Sequence, residues 1–414
     1  MDYKVLKTLY YKNREEYERE SERRPKSMAA TALPLDIHGV PAYYINCPEL
    51  TMLIVSIYEK ARVLHSRIEA LPDMAHSFYR ASIMIDEVML SNDLEGVRST
   101  RKEIRDIIDA DKSKEDKQAR LYGMVRKYVR LLDADNKIDL SDCASIRKLY
   151  DELVSREIAK DDLPDGEYFR KEPVSIVTAT EKEKHKGVNP PESNIIMHME
   201  KAISLLHDEN IPSLIRIALF HYFIGYIHPF YDGNGRLSRF ISSYLLKKEL
   251  DELTALRLSY AIKERKGKYY DAFDVVNDPK NRSDTTPFIL AFLKIILAAE
   301  DSLIERIEGG MERYQYYSKI TTVLYAEFAD TDIMSILFAL IQSCLFGAES
   351  LGIKRLADAV KMSESKTRAK LKMLIEKTGD KVIISNKDGH KYVYTVDLDE
   401  LEKLCTSFAE IEND

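Results

Sequence analysis

A mainly α-helical chain of several domains is the fold class that the sequence predicts, on three observations. Apolar residues recur at a period of about 3.6 through most of the 414 residues. Glycine is scarce, with 15 residues, so few turns can be built on it. Stretches rich in β-branched and aromatic residues are short, as at Tyr168–Thr178 and Lys381–Thr395.

Taken in order, Asn13–Lys26 reads as a charged helix and Ala32–Pro48, rich in Pro, Tyr and Ile, as an extended segment. Glu49–Ala70 and His76–Leu94 are apolar at helical period, and Thr100-Arg-Lys-Glu103 predicts a capping box that opens a further helix. Asp116–Leu132 and Cys143–Ile158 continue the helical pattern until Asp161–Gly166 breaks it. Val188–Ser193 reads as a turn before a helix starting near Asn194. Leu214, Ile217, Ala218, Ile224 and Ile227 place a buried helix over Ser213–Ile227, stopped by Pro229. Leu237, Phe240, Ile241, Tyr244 and Leu245 predict a core-facing helix that begins near Gly235.

The longest apolar run, Ile333–Ala348, holds Ser335, Gln342 and Ser343 and falls short of the ~20 residues of a membrane span, so a buried helix is expected there. No basic and apolar leader follows Met1, and Cys47, Cys143, Cys344 and Cys405 lack metal-ligand spacing. These features predict a cytoplasmic protein with reduced thiols. The expected organisation is a helical region at 1–110, a central core at 111–300, connecting helices at 301–349 and a distinct domain at 350–414.

Twelve residues, His228-Pro-Phe-Tyr-Asp-Gly-Asn-Gly-Arg-Leu-Ser-Arg239, join the two central helices. A loop placed there sits at a helix N-terminus, where unpaired N–H groups and the positive end of the macrodipole favour anions. Gly233 and Gly235 can take positive φ and let the backbone approach a phosphate, with Asn234 between them completing a nest of donors. Asp232 beside a phosphate calls for a divalent cation between the two, and Mg²⁺ takes one or two carboxylates plus phosphate oxygens. Arg236 and Arg239, three residues apart on one helical face, can grip phosphate oxygens in pairs. His228, with an ordinary pKa near ~6.5, is the natural proton acceptor.

This segment resembles the signature of Fic domain proteins, His-Pro-Phe-x-Asp/Glu-Gly-Asn-Gly-Arg-x-x-Arg, at every fixed position. The resemblance implies a helical Fic bundle with a small hairpin flap and Mg²⁺-dependent transfer of AMP from ATP to a Ser, Thr or Tyr hydroxyl of a protein. His228 would then be the base, and Asp232 would hold Mg²⁺ on the α- and β-phosphates. Gly233–Gly235 amides would stabilise charge on the transferred group, Arg236 and Arg239 would hold the β/γ end of ATP, and Phe230 would anchor the loop. Ser91-Asn-Asp-Leu-Glu95-Gly96 is similar to the family's inhibitory motif, which implies that Glu95 pairs with Arg239; Gly96 would permit close approach of another backbone. Tyr168–Thr178 lies where the family has its flap, which adds a strand to the target. Tyr269, Tyr270 and Asn277 lie where it builds an adenine pocket.

Past Gly352 the pattern changes to two short helices, Lys354–Val360 and Ser363–Lys377, and a hairpin turning at Lys387-Asp-Gly-His390, which looks like a winged helix-turn-helix. From Ile353 to Lys391 there are 11 Lys/Arg and 5 Asp/Glu, a net of +6 in a chain of −7. Lys366, Arg368, Lys370 and Lys372 run along the second helix, while Leu371, Leu374 and Ile375 face the core. Such a helix suits DNA contacts through residues 354–391, or protein contacts and domain packing. Three functions therefore stand side by side: an AMP transferase restrained by Glu95, an enzyme that removes AMP or works in both directions through Glu95, and a DNA-binding regulator with a nucleotide-sensing core. The intact His228 argues against the last. The target, which can include the chain itself, and the choice between monomer and homo-oligomer stay open.

Overall fold

The computed structural model describes residues 3–110, 119–133, 135–177, 183–347, 350–389 and 391–411. Helix accounts for 67% and strand for 8%, as the periodicity predicts. Two compact units divide the chain: residues 1–62 with 84–301, and residues 63–83 with 302–414.

The first unit opens with α1 (Leu6–Lys12), α2 (Arg14–Arg23) and an antiparallel hairpin of β1 (Ala30–Ile37) and β2 (Val40–Ile45), bulged between Ala32 and Asp36. It takes parts of α3 (Pro48–Glu69) and α4 (Asp73–Leu94). The predicted capping box opens α5 (Arg101–Asp109): Glu103 N donates to Thr100 Oγ1 at 3.2 Å and Thr100 N to Glu103 Oε2 at 2.9 Å. Of the helix expected over Asp116–Leu132, residues 116–118 lie outside the described residues and α6 spans Tyr122–Leu131. α7 (Cys143–Leu153) stops five residues before Ile158, because the chain turns inward there to bury Val154 and Ile158 and to bring Glu157 against Arg236. Next come the short strands β3 (Ser175–Val177) and β4 (Glu183–Lys186), paired antiparallel. Strand structure thus begins later than Tyr168, and Thr178 lies outside the described residues.

The centre of this unit is α8 (Glu192–Leu206), α9 (Ser213–Ile227) and α10 (Asn234–Glu249), with α9 packed between the others. Twelve of the fifteen residues of α9 are buried, so it is apolar all round rather than amphipathic. Its one buried histidine, His221, is bonded at both ring nitrogens, to Ser242 Oγ at 2.9 Å and Tyr269 Oη at 2.7 Å. Burial first, then the charge of Arg239, pushes its pKa down to about 3, which keeps the ring neutral. α11 (Glu252–Ala255), α12 (Leu258–Glu264), α13 (Lys266–Val276) and the first part of α14 (Thr286–Ile320) complete the unit.

Glu300 on α14 is fully buried, and neither carboxyl oxygen has a hydrogen-bond partner among the described residues. Burial, reinforced by the charges of Asp251 and Asp301 and opposed by Lys60, pushes its pKa up to about 9 from an ordinary 4.5. Between those values the folded state keeps a proton that the unfolded state loses, so stability falls as pH rises, by at most about 1.4 kcal/mol per pH unit. Glu300→Gln is therefore expected to match the parent at pH 5 and to melt at a higher temperature at pH 9. Melting curves that differ by the same amount at both values would contradict this.

In the second unit, α14 continues from Ser302, followed by α15 (Val323–Phe328) and α16 (Thr331–Gln342), which runs into a π turn at Ser343–Gly347. α16 is the buried apolar helix expected over Ile333–Ala348, Ala348 itself lying outside the described residues. No helix among the described residues is long and apolar enough to cross a membrane. Then follow β5 (Leu351–Gly352), α17 (Ile353–Ala359), α18 (Glu364–Thr378), β6 (Ile383–Asp388), β7 (Lys391–Val396) and α19 (Leu398–Ile411), with the sheet ordered β5-β7-β6. Asp388 pairs with Lys391, so the hairpin loop is Gly389, at φ +61°, and His390, which lies outside the described residues. Lys366 lies 2.8 Å from Asp332, Lys370 pairs with Asp330, and Lys372 lies 3.7 Å from Glu376. Most of the positive charge read along this helix is therefore matched by carboxylates of the same unit.

Candidate active site

The loop between α9 and α10 owes its shape to two left-handed residues and a buried ring. His228 closes α9 at φ +52°, its N–H donating to Ile224 O at 2.9 Å, and Gly233 sits at φ +81° as the residue before α10. A non-glycine residue pays strain in that region, so His228 must be held there by its surroundings. Phe230 is fully buried and stacks on Tyr150 of α7, with centroids 3.7 Å apart. The Asn234 side chain accepts from Phe230 N at 3.0 Å and donates to Phe230 O at 2.8 Å, while Tyr150 Oη donates to Asp232 O at 3.2 Å. Asn234 thus uses its side chain to staple the loop, and only its backbone is left to face an anion.

Gly235 lies inside α10 without positive φ, which corrects one half of the glycine expectation. Its requirement is space: a Cβ there would stand 2.0 Å from Glu95 Oε1 and 2.9 Å from Arg239 Nη1. Gly96 is the converse. A Cβ at Gly96 would meet nothing within 4 Å, and its φ of +73° shows that it serves to turn the chain after α4 rather than to admit a neighbouring backbone.

Both arginines are fully buried and engaged by carboxylates. Arg239 donates through all three nitrogens to the end of α4: Nε to Ser91 Oγ at 2.9 Å, Nη2 to Ser91 O at 2.8 Å and Nη1 to Glu95 Oε1 at 2.7 Å. Burial pushes the Glu95 carboxyl up, but Arg239, helped by Arg236 and His228, more than offsets it and holds the group below its ordinary value. Arg236 lies 3.1 Å from both Glu157 and Asp232. Burial pushes Glu157 up to about 7 against the pull of Arg236. Asp232 remains half exposed, its other oxygen accepting from Gly233 N. Its carboxylate at the head of α10 fits a Mg²⁺ that also takes phosphate oxygens. Among the described residues no group of three or more acidic, His or Cys side chains could hold a metal ion.

The tyrosines divide. Tyr269 is a core residue, packed against Tyr270, Phe273 and Phe288 and donating to His221, whereas Tyr270 is half-buried. Burial raises the Tyr270 phenol first and the charge of Glu95 raises it further, so its ring is within electrostatic reach of the Glu95–Arg239 pair. Asn277 accepts from Tyr222 Oη at 2.7 Å. Sequence reasoning missed Glu157, Tyr150 and Glu87. Glu87 lies one turn before Ser91 on α4, fully buried, and accepts from Ser259 N at 2.8 Å and Oγ at 2.6 Å. Its four-residue step to Ser91 was the available signal.

A helical bundle gathers a histidine, a half-exposed carboxylate and two buried arginines around one helix N-terminus, and residues 141–246 match the Fic/DOC family. Domains of this family commonly transfer AMP or other nucleotide groups to proteins, use nucleotide substrates such as ATP with a metal, and are typically enzymes. Among solved structures, a Fic family protein from Desulfovibrio desulfuricans G20 aligns over 86% of this chain and 98% of its own at 19% identity, with a TM-score of 0.52, which shows a shared fold. Fic-1 (residues 134–508) from C. elegans aligns over 64% of this chain and 75% of its own at 17% identity and a TM-score of 0.42. A Fic domain containing signaling protein from Bacteroides thetaiotaomicron aligns over 63% and 97% at 19% identity, with a TM-score of 0.39.

Proposed function

We propose that the first unit transfers AMP from ATP to a hydroxyl side chain of a protein and that Glu95 restrains it. The observation that carries this reading is the capture of all three Arg239 nitrogens by Ser91 and Glu95 at the N-terminus of α10, where phosphates would bind. In the reaction, the hydroxyl oxygen forms a bond to the α-phosphorus, the bond to the bridging oxygen breaks and pyrophosphate leaves. His228 takes the hydroxyl proton. Backbone amides at Asn234 and Gly235 face the charge that builds on the α-phosphate while Gly233 N holds Asp232, and Arg236 and Arg239 hold the leaving end. Asp232 would hold Mg²⁺, which supplies charge neutralisation on the phosphates when bound. Tyr270 is the ring we assign to the adenine side. In this reading 1–110 is a helical region with an inhibitory helix, 111–300 the catalytic core with its flap, 301–349 connecting helices and 350–414 a domain like a winged helix-turn-helix, in a cytoplasmic protein. The ion pairs of Lys366 and Lys370 favour packing over DNA for that last domain.

Incubation of the purified chain with ATP, Mg²⁺ and lysate, followed by mass spectrometry, tests the reading: AMP adducts on Ser, Thr or Tyr are expected, and their absence even with Glu95→Gly overturns it. Asp232→Ala should lose activity through weakened Mg²⁺ binding, so raising Mg²⁺ restores part of the rate; a loss indifferent to metal concentration would count against this role. A second direction, removal of AMP, is open to the same residues: the Glu95 carboxylate reaches the loop beside Gly235, and we assign it the activation of a water there. Loss of adduct from an AMP-modified protein, by the parent but not by Glu95→Gly, would show it.

A further inference from the structure

Arg170 is one of the largest fully buried side chains of the protein, and no carboxylate among the described residues pairs with it. Its guanidinium is satisfied by carbonyls alone. Nε donates to His228 O at 2.8 Å, Nη1 to Glu172 O at 2.7 Å, and Nη2 to Val188 O at 2.7 Å and Ile227 O at 3.4 Å. Burying a charge without a counter-ion is costly, so such an arrangement persists only where every donor is met and the geometry is enforced.

The carbonyls it joins are a significant set. Glu172 lies just before β3 and Val188 just after β4, so the guanidinium holds both feet of this hairpin, and the other two carbonyls belong to the base and its neighbour. Backbone bonds run alongside: Arg170 N to Pro229 O at 3.1 Å, Val188 N to Ile227 O at 3.0 Å and Gly187 N to Val174 O at 3.3 Å. The segment that carries Arg170 is itself fixed, since Glu192 accepts from the amides of residues 167, 168 and 169, and Asp165 accepts from Lys171 N and Tyr231 Oη. Gly187 leaves the room required, for a Cβ there would stand 2.6 Å from Arg170 Nη2 and 3.0 Å from His228 Cβ.

We propose that Arg170 is a positioning residue that locks the β3–β4 hairpin to the backbone of His228, so that a protein strand laid along the hairpin arrives in register with the base. This rests on the transfer reading given above. A planar fork with five donors can serve four carbonyls on three segments, which a lysine ammonium cannot. The hairpin edge and the base then move as one body, and the strained φ of His228 is held from the carbonyl side.

The test uses the full chain and two variants, Arg170→Lys and Gly187→Ala, the second displacing the guanidinium without removing it. Hydrogen exchange is expected to quicken roughly tenfold or more at the amides of Gly187 and Val188, with those of α9 and α10 unchanged. In the Glu95→Gly background, with His228→Ala copies of the chain as acceptor, kcat should fall and the KM for acceptor rise, while affinity for a fluorescent ATP analogue stays the same. Exchange that quickens across the whole unit, or a lower kcat with both KM values unchanged, would reduce Arg170 to a general structural residue and overturn the proposal. Local quickening in a chain that transfers no AMP would leave the hairpin lock standing and sink the transfer reading instead.

Discussion

His228→Ala is expected to lower AMP transfer by about 10²–10⁴-fold while leaving ATP affinity within a few-fold of the parent, the range that loss of a positioned general base produces. The separation follows from where the groups sit. In the proposed reaction the phosphates are held by amides of the Gly233–Gly235 loop and by Arg236 and Arg239, none of which relies on the imidazole. Alanine also relaxes the left-handed backbone at this position little, because Arg170 still binds the carbonyl of residue 228. Titration with a fluorescent ATP analogue and a transfer assay on the same preparation separate the two effects. Transfer at the parent rate would end the assignment of His228 as base.

Glu95→Gly is expected to raise the transfer rate by roughly 10²-fold. In the parent, each nitrogen of Arg239 is already engaged by Ser91 or Glu95, and a carboxylate lies where a γ-phosphate would go. Charge-assisted hydrogen bonds contribute on the order of 1.5–3 kcal/mol each, and about 1.4 kcal/mol corresponds to one decade in rate. Freeing one nitrogen and removing the repulsion together account for two decades. Because Arg239 holds the Glu95 carboxyl below its ordinary value, mild acid does not release the restraint. Equal rates for the variant and the parent, measured by self-modification with labelled ATP, would reduce the Ser91–Gly96 match to coincidence.

Helix positions were legible because burial imposes the 3.6-residue period: Ser213–Ile227 is α9 to the residue, and Leu237 and Phe240 lie in the core of α10. Boundaries slipped where a local period met a tertiary demand. α7 ends at Leu153 because Glu157 has to reach Arg236, and 168–174 is not strand because Glu192 and Asp165 hold its amides. The residues of the candidate site were legible wherever one short segment carried them, as in the loop from His228 to Arg239. Glu157 and Arg170 were not, since a lone charged residue in a polar stretch gives no sign that folding will bury it completely. Gly96 and Gly235 show that a glycine can be foreseen while the reason for it, φ in one case and room in the other, is exchanged.

Glu87, Ser91 and Glu95 follow one another at four-residue steps, and each is gripped from outside α4, the first by Ser259 and the other two by Arg239. One residue more or fewer between Glu87 and Ser91 would turn everything beyond it by about 100° and shift it by about 1.5 Å, carrying serine and glutamate off the arginine together. The proposed restraint is therefore encoded as a phase as much as a pair of side chains. Substitutions along the exposed side of this helix leave that phase untouched, whereas a single insertion would erase it with Ser91, Glu95 and Arg239 all still present.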